Sequence, residues 1–186
     1  MRKLVYYVGV SLDGYIAGPG GEFDFYPVPD DMAAWREYPE AVPTQLRAHV
    51  GMAVDEPNKH WDAVLMGRGT YLAGGVASPY AHLKQYVVST TLDPVDAPNV
   101  EVVKGDPVEL VRGLKRQEGR DIWLCGGGEL AGALVDEVDE LIIKSYPVIA
   151  GAGVPAFTGN FRPTTFRPDR RREFSNGAQV TWFSRA

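Results

Sequence analysis

The feature of this sequence that most constrains its fold is the segment Ile122–Ala131, in which three consecutive glycines follow a short apolar run. The run Ile122–Cys125 predicts a buried strand, and the residues from Gly128 onward predict the first turn of a helix. Such a junction presents free backbone N–H groups, and no side chain blocks an approaching phosphate. The segment therefore predicts an α/β fold with a site suited to the diphosphate of a nucleotide cofactor.

Other short apolar runs alternate with helical patterns along the chain. The predicted strands are Leu4–Val10, Ala63–Met66, Lys84–Val88, Val100–Val103, Asp121–Leu124 and Glu140–Tyr146. The predicted helices are Met32–Tyr38, a piece over about Thr44–Val50, one that starts at Thr70, Val108–Gln117 after the cap Asp106-Pro107, and one that ends near Val135. Repeated strand–helix units predict a three-layer α/β domain with a mainly parallel sheet.

The C-terminal part of the chain has a different pattern. Two strand-like runs, Arg170–Phe174 and Ala178–Phe183, flank Ser175-Asn176-Gly177, and an Asn-Gly pair favours the positive φ angles of a tight turn. These runs predict an antiparallel β-hairpin at the edge of the sheet. A length of 186 residues without a repeat or a linker predicts one domain over residues 1–186.

Charge and composition exclude several classes of function. The formal net charge of -5 argues against broad nucleic-acid binding, and no run approaches the ~20 apolar residues of a membrane span. The one basic cluster, Arg167–Arg172, is interpreted as a solvated strand entry, with an anionic ligand as the alternative. Met1–Lys3 and the following run Leu4–Val10 lack the length and cleavage site of a signal peptide, which predicts a cytoplasmic location.

Several common site chemistries lack their motifs. The single cysteine, Cys125, excludes an intramolecular disulfide and is predicted to be a small strand residue rather than a catalytic thiol. The three histidines (His49, His60 and His82) do not have metal-ligand spacing, so no metal site is predicted. The glycine fingerprint of a Rossmann fold, the P-loop and the Gly-x-Ser-x-Gly nucleophile motif are all missing.

Three turns suited to phosphate follow predicted strands. They are Gly67-Arg68-Gly69-Thr70, Ser89-Thr90 and Gly126-Gly127-Gly128. In an open α/β sheet, ligands collect at the carboxyl ends of the strands, so the three turns predict one common site. There Arg68 would form charge-assisted hydrogen bonds with a phosphate, and Thr70 and Ser89 would donate hydroxyl groups. The alternative is that the glycines only permit tight turns and that Arg68 is a surface charge.

Four segments carry a further signal through their order and spacing. They are Val5–Ala17 (VYYVGVSLDGYIA), Val64–Tyr71 (VLMGRGTY), Val87–Thr90 (VVST) and Ile122–Leu130 (IWLCGGGEL). Together they resemble the dihydrofolate reductase superfamily. The Ser11–Gly14 turn and Pro147–Pro155 are similar to its bacterial branch, which is related to the C-terminal reductase domain of the bifunctional riboflavin-biosynthesis deaminase/reductase. The resemblance covers nearly the whole chain except about Ala41–His60, and it implies a mostly parallel sheet of about eight strands with a C-terminal antiparallel hairpin.

The resemblance implies NADPH as the cofactor. It places the three glycines along the diphosphate, Arg68 and Thr70 on cofactor phosphates, and Ser89 and Thr90 near the adenosine 2′-phosphate that would select NADPH over NADH. Backbone groups around Gly9 and Ile16 would bracket the nicotinamide carboxamide. The complete set of implied cofactor-binding residues is Gly9, Ile16, Ala17, Gly67, Arg68, Thr70, Ser89, Thr90, Cys125, Gly126, Gly127, Gly128, Glu129 and Leu130.

The resemblance also implies a substrate side. Asp31 falls where dihydrofolate reductase carries its pterin-binding carboxylate, which implies a catalytic and substrate-binding role, and Trp35 would wall the same pocket. The alternative is that Asp31 only caps a helix N-terminus and that Trp35 belongs to the core. Ala131 stands where dihydrofolate reductase has a tyrosine, and Lys144 stands where it has a threonine. Both differences argue against folate reduction.

The resulting prediction is an NADPH-dependent reductase that transfers hydride to a small heterocyclic or ribityl-type substrate. It resembles the 5-amino-6-(5-phosphoribosylamino)uracil reductase of riboflavin biosynthesis. A dihydrofolate or pterin reductase is one alternative, and an NADPH-binding module without turnover is another. A third is a structural protein without a nucleotide. The resemblance implies a homodimer, and the predicted partner is a small-molecule substrate rather than a nucleic acid or a membrane.

Overall fold

The computed structural model describes residues 1–186, and its strands form two sheets. The eight strands of the large sheet are β1 (Leu4–Val10), β3 (Trp61–Gly67), β4 (Lys84–Val88), β5 (Val100–Val103), β6 (Asp121–Gly126), β7 (Glu140–Ser145), β9 (Phe166–Glu173) and β10 (Gln179–Arg185). The small sheet pairs β2 (Tyr15–Ala17) with β8 (Val154–Pro155).

The large sheet has the order β5-β4-β3-β6-β1-β7-β10-β9. Every neighbouring pair from β5 to β7 is parallel, whereas β10 runs antiparallel to both β7 and β9. The predicted α/β fold with a mostly parallel sheet of about eight strands and a C-terminal antiparallel hairpin is therefore confirmed. The predicted bounds of β4 and β5 match the observed ones.

Four short helices accompany the sheet. They are α1 (Asp30–Ala33), α2 (Arg68–Ala73), α3 (Pro107–Lys115) and α4 (Gly128–Ala133). The Asp106 side chain accepts a hydrogen bond from the Val108 N–H at 2.8 Å, which confirms the predicted cap of α3. None of the helices has the length and apolar character that a membrane span requires.

Two of the helix predictions were wrong, one in its length and the other in its type. Helix α1 stops at Ala33 instead of continuing to Tyr38, and Thr44–Val50 forms two separate 3-10 turns rather than an α-helix. Pro39 disfavours the helical conformation of Tyr38, so a helix could not continue through that residue. Proline does not account for the stop at Ala33 or for the 3-10 turns after Pro43. The chain between β2 and β3 is a series of tight turns, held in place by side chains.

The two faces of the large sheet bury different kinds of side chain. One face carries an aromatic core, whose largest members are Tyr7, Tyr38, Trp61, Trp123 and Trp182. The other carries an aliphatic core beneath α3 and α4, with Leu4, Leu65, Ile122, Leu124 and Leu134. Burial on both faces is what a central parallel strand such as β1 requires, and it explains the unbroken apolar runs in the sequence.

The C-terminal hairpin forms as predicted, but its turn differs from a two-residue type. Only Gly177 has a positive φ, of 85°, and the Phe174 N–H donates to the Ala178 carbonyl at 2.9 Å. Asn176 instead uses its side chain, because its Nδ2 donates to the Pro27 carbonyl and its Oδ1 accepts from the Ala178 N–H. The turn is therefore tied to the segment that leads into α1.

The Ser11–Gly14 turn after β1 is held by its aspartate. The Asp13 carboxylate accepts hydrogen bonds from the Ser11 hydroxyl at 2.6 Å and from the backbone N–H groups of Ala150 and Gly151. The hydrogen bond from Ser11, with those from the backbone, lowers the pKa of Asp13 to about 2. This aspartate thus joins two segments that carry the resemblance, and its role in the structure is architectural.

Candidate functional site

The candidate site lies where the parallel strands of the large sheet end. Strands β3, β4 and β6 are adjacent and parallel, so the turns that begin at Gly67, Ser89 and Gly126 leave the sheet at one edge. The carboxyl end of β1 lies at the same edge, beside β6. The structure thus brings the three phosphate-type turns to one edge, as the sequence predicts.

The glycines at this edge form a patch without side chains, here called the glycine cradle, which comprises Gly67, Gly126 and Gly127 with Thr70 and Ile16 at its border. A Cβ placed on Gly126 would lie 3.7 Å from Ile16 Cδ1 and 3.8 Å from Thr70 Oγ1. A Cβ placed on Gly67 would lie 3.7 Å from the Gly127 nitrogen. Gly126 has a φ of 129°, which favours glycine, and its peptide bond with Gly127 is cis.

At Gly67 and Gly127, which are partly accessible, no side chain of their own covers the backbone, whereas Gly126 at the end of β6 is buried. Three elements, β2, β3–α2 and β6–α4, supply its members and leave only Thr70 and Ile16 at its border. A surface of this kind admits a bulky anion to within hydrogen-bond distance of the main chain. The arrangement therefore fits the diphosphate of a dinucleotide.

Polar groups beside the cradle differ in how they are engaged. Arg68 opens α2 with an exposed side chain that forms no ion pair or hydrogen bond within the protein. Ser89 is buried, and its Oγ accepts hydrogen bonds from the N–H groups of Thr91 and Leu92, so it shapes its own loop. Thr90 is exposed on that loop. Of these residues, Arg68 is the charged group available to an anion.

The structure does not bring every predicted cofactor residue to the cradle through its side chain. Leu130 is buried in the aliphatic core, and Glu129 is exposed on the first turn of α4. Cys125 packs against the aromatic core, where burial raises the pKa of its thiol to about 12. A thiol with this pKa stays protonated near neutral pH, which agrees with the prediction of a non-catalytic cysteine. Ala17 lies in β2, opposite Val154 of β8.

The carboxyl end of β1 carries a second small feature. A Cβ on Gly9 would lie 3.0 Å from Tyr146 Cε2 and 3.8 Å from Lys144 Cε, so a larger residue would press against both side chains. The Tyr26 hydroxyl donates to the Tyr15 carbonyl at 2.8 Å, and its ring lies 4.6 Å from that of Tyr146. Sequence reasoning missed Tyr26 and Tyr146, because nothing in a glycine- and proline-rich loop signals a contact with β7.

Asp31 joins α1 to the C-terminal hairpin. Its Oδ1 accepts hydrogen bonds from the Ser175 hydroxyl and the Met32 N–H, and its Oδ2 accepts from the Ser175 N–H at 2.9 Å. Desolvation opposes ionisation of this exposed carboxyl, but the hydrogen bonds from Ser175 outweigh it and lower the pKa of Asp31. Pro29, and not Asp31, occupies the cap position of α1.

Trp35 lies beyond the end of α1 and packs into the aromatic core. Its ring centroid is 5.7 Å from that of Tyr38, 5.8 Å from that of Phe174 and 6.0 Å from that of Trp182. Trp35 is half-buried, so part of the ring remains accessible. Asp31 and Trp35 therefore both contact the hairpin turn, which brings them to the same region of the aromatic face.

The basic cluster Arg167–Arg172 serves a structural purpose. The arginines of Arg167–Arg172 lie on the exposed edge strand β9, where Arg170 pairs with Glu37 and stacks on Trp182. This agrees with the interpretation of a solvated strand.

No three His, Cys, Asp or Glu side chains come together in a group that would hold a metal ion.

Comparison with known proteins identifies the family. The family model described as the RibD C-terminal domain matches residues 2–180. The chain belongs to this family. The RibD C-terminal domain described here is 29% identical to the uncharacterized protein YwjB of Bacillus subtilis (strain 168), over 96% of each chain. It is 27% identical to the uncharacterized protein YyaP of the same organism, over 95% of this chain and 91% of that protein.

Two solved structures share the fold of this RibD C-terminal domain. The "Putative riboflavin biosynthesis protein" from Shewanella sp. PV-4 superimposes with a TM-score of 0.74 at 24% identity, over 100% of this chain and 99% of that one. The diaminohydroxyphosphoribosylaminopyrimidine deaminase/5-amino-6-(5-phosphoribosylamino)uracil reductase of Thermotoga maritima gives a TM-score of 0.66 at 17% identity. This chain is covered completely and spans 57% of the Thermotoga chain. At these identities the two likenesses show the fold.

Proposed function

We propose that this RibD C-terminal domain is an NADPH-dependent reductase of a small molecule. The observation that carries the proposal is the glycine cradle with the unpaired Arg68 beside it, at the carboxyl edge of a parallel sheet. The reductase activity in the name of the Thermotoga relative of the same fold supports this choice. The proposed enzyme is cytoplasmic and has neither a nucleic acid nor a membrane as its partner.

Different residues at the carboxyl edge of the sheet would contact different parts of NADPH. The backbone of Gly126, Gly127 and Gly128 would lie along the diphosphate, with Thr70 as a hydroxyl donor and Arg68 as the counter-charge. The loop of Ser89 and Thr90 would face the adenosine 2′-phosphate. The hydride comes from the nicotinamide ring of NADPH when it is bound. The chain itself would orient that ring beside Gly9 and exclude water with the rings of Tyr26 and Tyr146.

Asp31 and Trp35 would receive the substrate, a small heterocyclic or ribityl-type molecule. Because the pKa of Asp31 is lowered, its carboxylate is ionised near neutral pH and would accept a hydrogen bond from the substrate. This charge state favours orientation of the substrate over donation of a proton. Trp35 would offer the accessible part of its ring to a planar substrate.

A second candidate function is a nucleotide-binding module without turnover. One observation favours it, since both oxygens of Asp31 already accept hydrogen bonds from Ser175.

A homodimer is also part of the proposal. The arginines of β9 oppose edge-to-edge pairing of two sheets, so a dimer would use another surface.

Removal of the Arg68 charge tests the cofactor site. We expect Arg68→Gln to raise the Kd for NADPH about 10- to 100-fold, because a charge-assisted hydrogen bond contributes about 1.5–3 kcal/mol. The measurement is a fluorescence titration of the purified protein with NADPH and, separately, with NADH. Arg116→Gln is the matched control, because Arg116 is exposed, makes no ion pair and follows α3. Failure of the wild-type protein to bind either nucleotide would refute the proposal.

Turnover of any substrate separates the two candidate functions. Removal of the Asp31 charge then tests whether Asp31 takes part in the reaction. With a substrate that oxidises NADPH, we expect Asp31→Asn to lower kcat/KM about 10-fold or more while the Kd for NADPH stays unchanged. Candidate substrates are dihydrofolate and intermediates of riboflavin synthesis, followed by absorbance of the nicotinamide. Ser175→Ala is the control for the hairpin contact, and its loss of turnover should be smaller. Full turnover by Asp31→Asn would exclude Asp31 from the reaction.

A further inference from the structure

Lys144 is a cation without an anionic partner in the aromatic core. It lies on β7 directly opposite Gly9 of β1, and its Nζ lies 4.4 Å from the centroid of the Tyr7 ring. No carboxylate oxygen lies within 4.0 Å of Nζ, and the side chain makes no hydrogen bond. It is half-buried, so solvent or a ligand can still reach it.

The groups around Lys144 are neutral. Burial raises the pKa of Tyr7 and of Tyr146, and the Lys144 ammonium opposes the shift of Tyr146. Burial also raises the pKa of Cys125 to about 12, again against the effect of Lys144. Two hydroxyls and a thiol therefore remain protonated near neutral pH. They leave the positive charge of the ammonium uncompensated.

The two carboxyl groups that act on Tyr7, those of Glu37 and Glu40, are engaged elsewhere. Glu37 pairs with Arg170, and Glu40 accepts hydrogen bonds from the backbone N–H groups of residues 59–61. An ammonium without a counter-ion is free to form a charge-assisted hydrogen bond with an anion that comes within reach of it. Within the protein, Nζ is engaged by the cation–π contact with the Tyr7 ring.

Several aromatic rings lie near Lys144. The rings of Phe25 and Tyr26 lie 4.4 Å apart, and the rings of Tyr26 and Tyr146 lie 4.6 Å apart. Tyr146 also contacts the backbone position of Gly9, next to Lys144 Cε. An aromatic row beside a single cation suits a planar molecule with a negatively charged oxygen at its edge.

We propose that Lys144 is a specificity-determining residue that binds an anionic oxygen of a planar substrate beside Gly9. The inference rests on the proposed function, because the resemblance places the nicotinamide next to Gly9. It narrows the substrate class to planar, oxygen-bearing rings with a negative charge, such as a carboxylate or an ionised oxo group. It also assigns a purpose to the lysine that stands where dihydrofolate reductase has a threonine.

The test uses calorimetric titration of the full chain, without nucleotide, with three probes. Orotate is a planar anion, uracil is a planar neutral ring, and ribose 5-phosphate is an anion without a planar ring. We expect orotate to bind the wild-type protein at least 10-fold more tightly than uracil or ribose 5-phosphate. Lys144→Met should weaken orotate binding at least 10-fold, whereas Lys144→Arg should keep it within about 3-fold. Lys104→Met is the matched control, because Lys104 is exposed in the loop after β5.

Each alternative result overturns the inference. Equal binding of orotate and uracil would show that charge is not recognised, and tighter binding of ribose 5-phosphate would show that a phosphate is recognised instead. Unchanged orotate binding by Lys144→Met would remove the residue from the site. If that variant does not fold by circular dichroism, Lys144→Gln takes its place. NADPH titration separates the two proposals, because NADPH binding without orotate binding refutes only the inference, and the reverse refutes only the cofactor assignment.

Discussion

Gly132→Ala is expected to lower the free energy of unfolding by about 3 kcal/mol, at the upper end of the usual cost of overpacking. A Cβ on Gly132 would lie 1.6 Å from the Thr158 carbonyl oxygen and 2.7 Å from its carbonyl carbon. Backbone atoms cannot rotate away as a flexible side chain can, so the segment over α4 must shift. The Thr158 N–H donates to the Gly128 carbonyl at 3.1 Å, and the Tyr6 hydroxyl donates to the Ala156 carbonyl at 2.9 Å. A shift would break both contacts.

Urea unfolding followed by circular dichroism measures the effect. Gly113→Ala is the matched control, because Gly113 lies inside α3 and a Cβ there meets no atom within 4 Å. The control should gain about 0.5–1 kcal/mol, since alanine favours a helix more than glycine does. Equal stability of the two variants would show that the segment over α4 yields without cost. In that case the close packing of the 154–158 segment would not stabilise the fold.

Glu40→Ala is expected to lower the free energy of unfolding by about 3 kcal/mol, because it removes a buried charged acceptor of three backbone hydrogen bonds. Glu40 is fully buried, and its Oε1 accepts hydrogen bonds from the N–H groups of Lys59, His60 and Trp61. The fully buried Arg47 donates to the carbonyls of Pro39, Val54 and Glu56 in the same region. Alanine at position 40 would leave the buried Trp61 N–H and the partly buried N–H groups of Lys59 and His60 without their acceptor. It would also remove one of the two carboxylates, Glu40 and Glu56, whose charges act on Arg47.

The same urea titration measures this loss. Glu118→Ala is the matched control, because Glu118 is exposed and pairs with no cation, so its effect should stay within about 0.5 kcal/mol. Glu40→Gln keeps an acceptor oxygen and should lose less than Glu40→Ala. An effect of Glu40→Ala as small as that of the control would mean that solvent replaces the carboxylate. Any folded fraction of either variant should still bind NADPH, because position 40 lies outside the glycine cradle.

The side chains of Glu40 and Arg47 also explain how the segment between α1 and β3 is held. The sequence motifs showed no resemblance over about Ala41–His60, but the family model covers this segment. About Ala41–His60 has no periodic pattern, and its 3-10 turns would not hold together by themselves. The carbonyls of Val54 and Glu56 bind Arg47, and the N–H groups of Lys59 and His60 bind Glu40. Two buried charged side chains therefore organise a segment that its own sequence pattern does not.

Local sequence patterns were sufficient to predict the strands of the sheet and the edge at which the candidate site lies. The apolar runs of β1, β3 and β6 are long enough to predict strands buried on both faces, and the glycines after β3 and β6 mark the turns at which these strands end. Parallel strands place these turns at one edge whatever the remaining contacts are. The glycine cradle could therefore be predicted from the residues that form it.

Contacts between distant parts of the chain could not be predicted in this way. Asp31 and Ser175 are 144 residues apart, and the hydrogen bonds between them depend on how α1 packs against the hairpin. The resemblance drew attention to Lys144 because dihydrofolate reductase has a threonine there, but it did not show that Lys144 lies over Tyr7 and beside Tyr146. Periodicity shows which face a residue occupies, but it does not show which residues of another element cover that face.

The sequence by itself determined the fold class, the strands of the parallel sheet and the edge at which the three phosphate-type turns lie, because these follow from short-range patterns and from glycines. Tertiary structure alone decided which charges are engaged and which are available. Arg68 and Lys144 lack partners, whereas Asp31, Glu40 and Arg47 are held. The physical reason is that a charge acquires its role from groups brought near it by packing, and packing joins residues far apart in the chain.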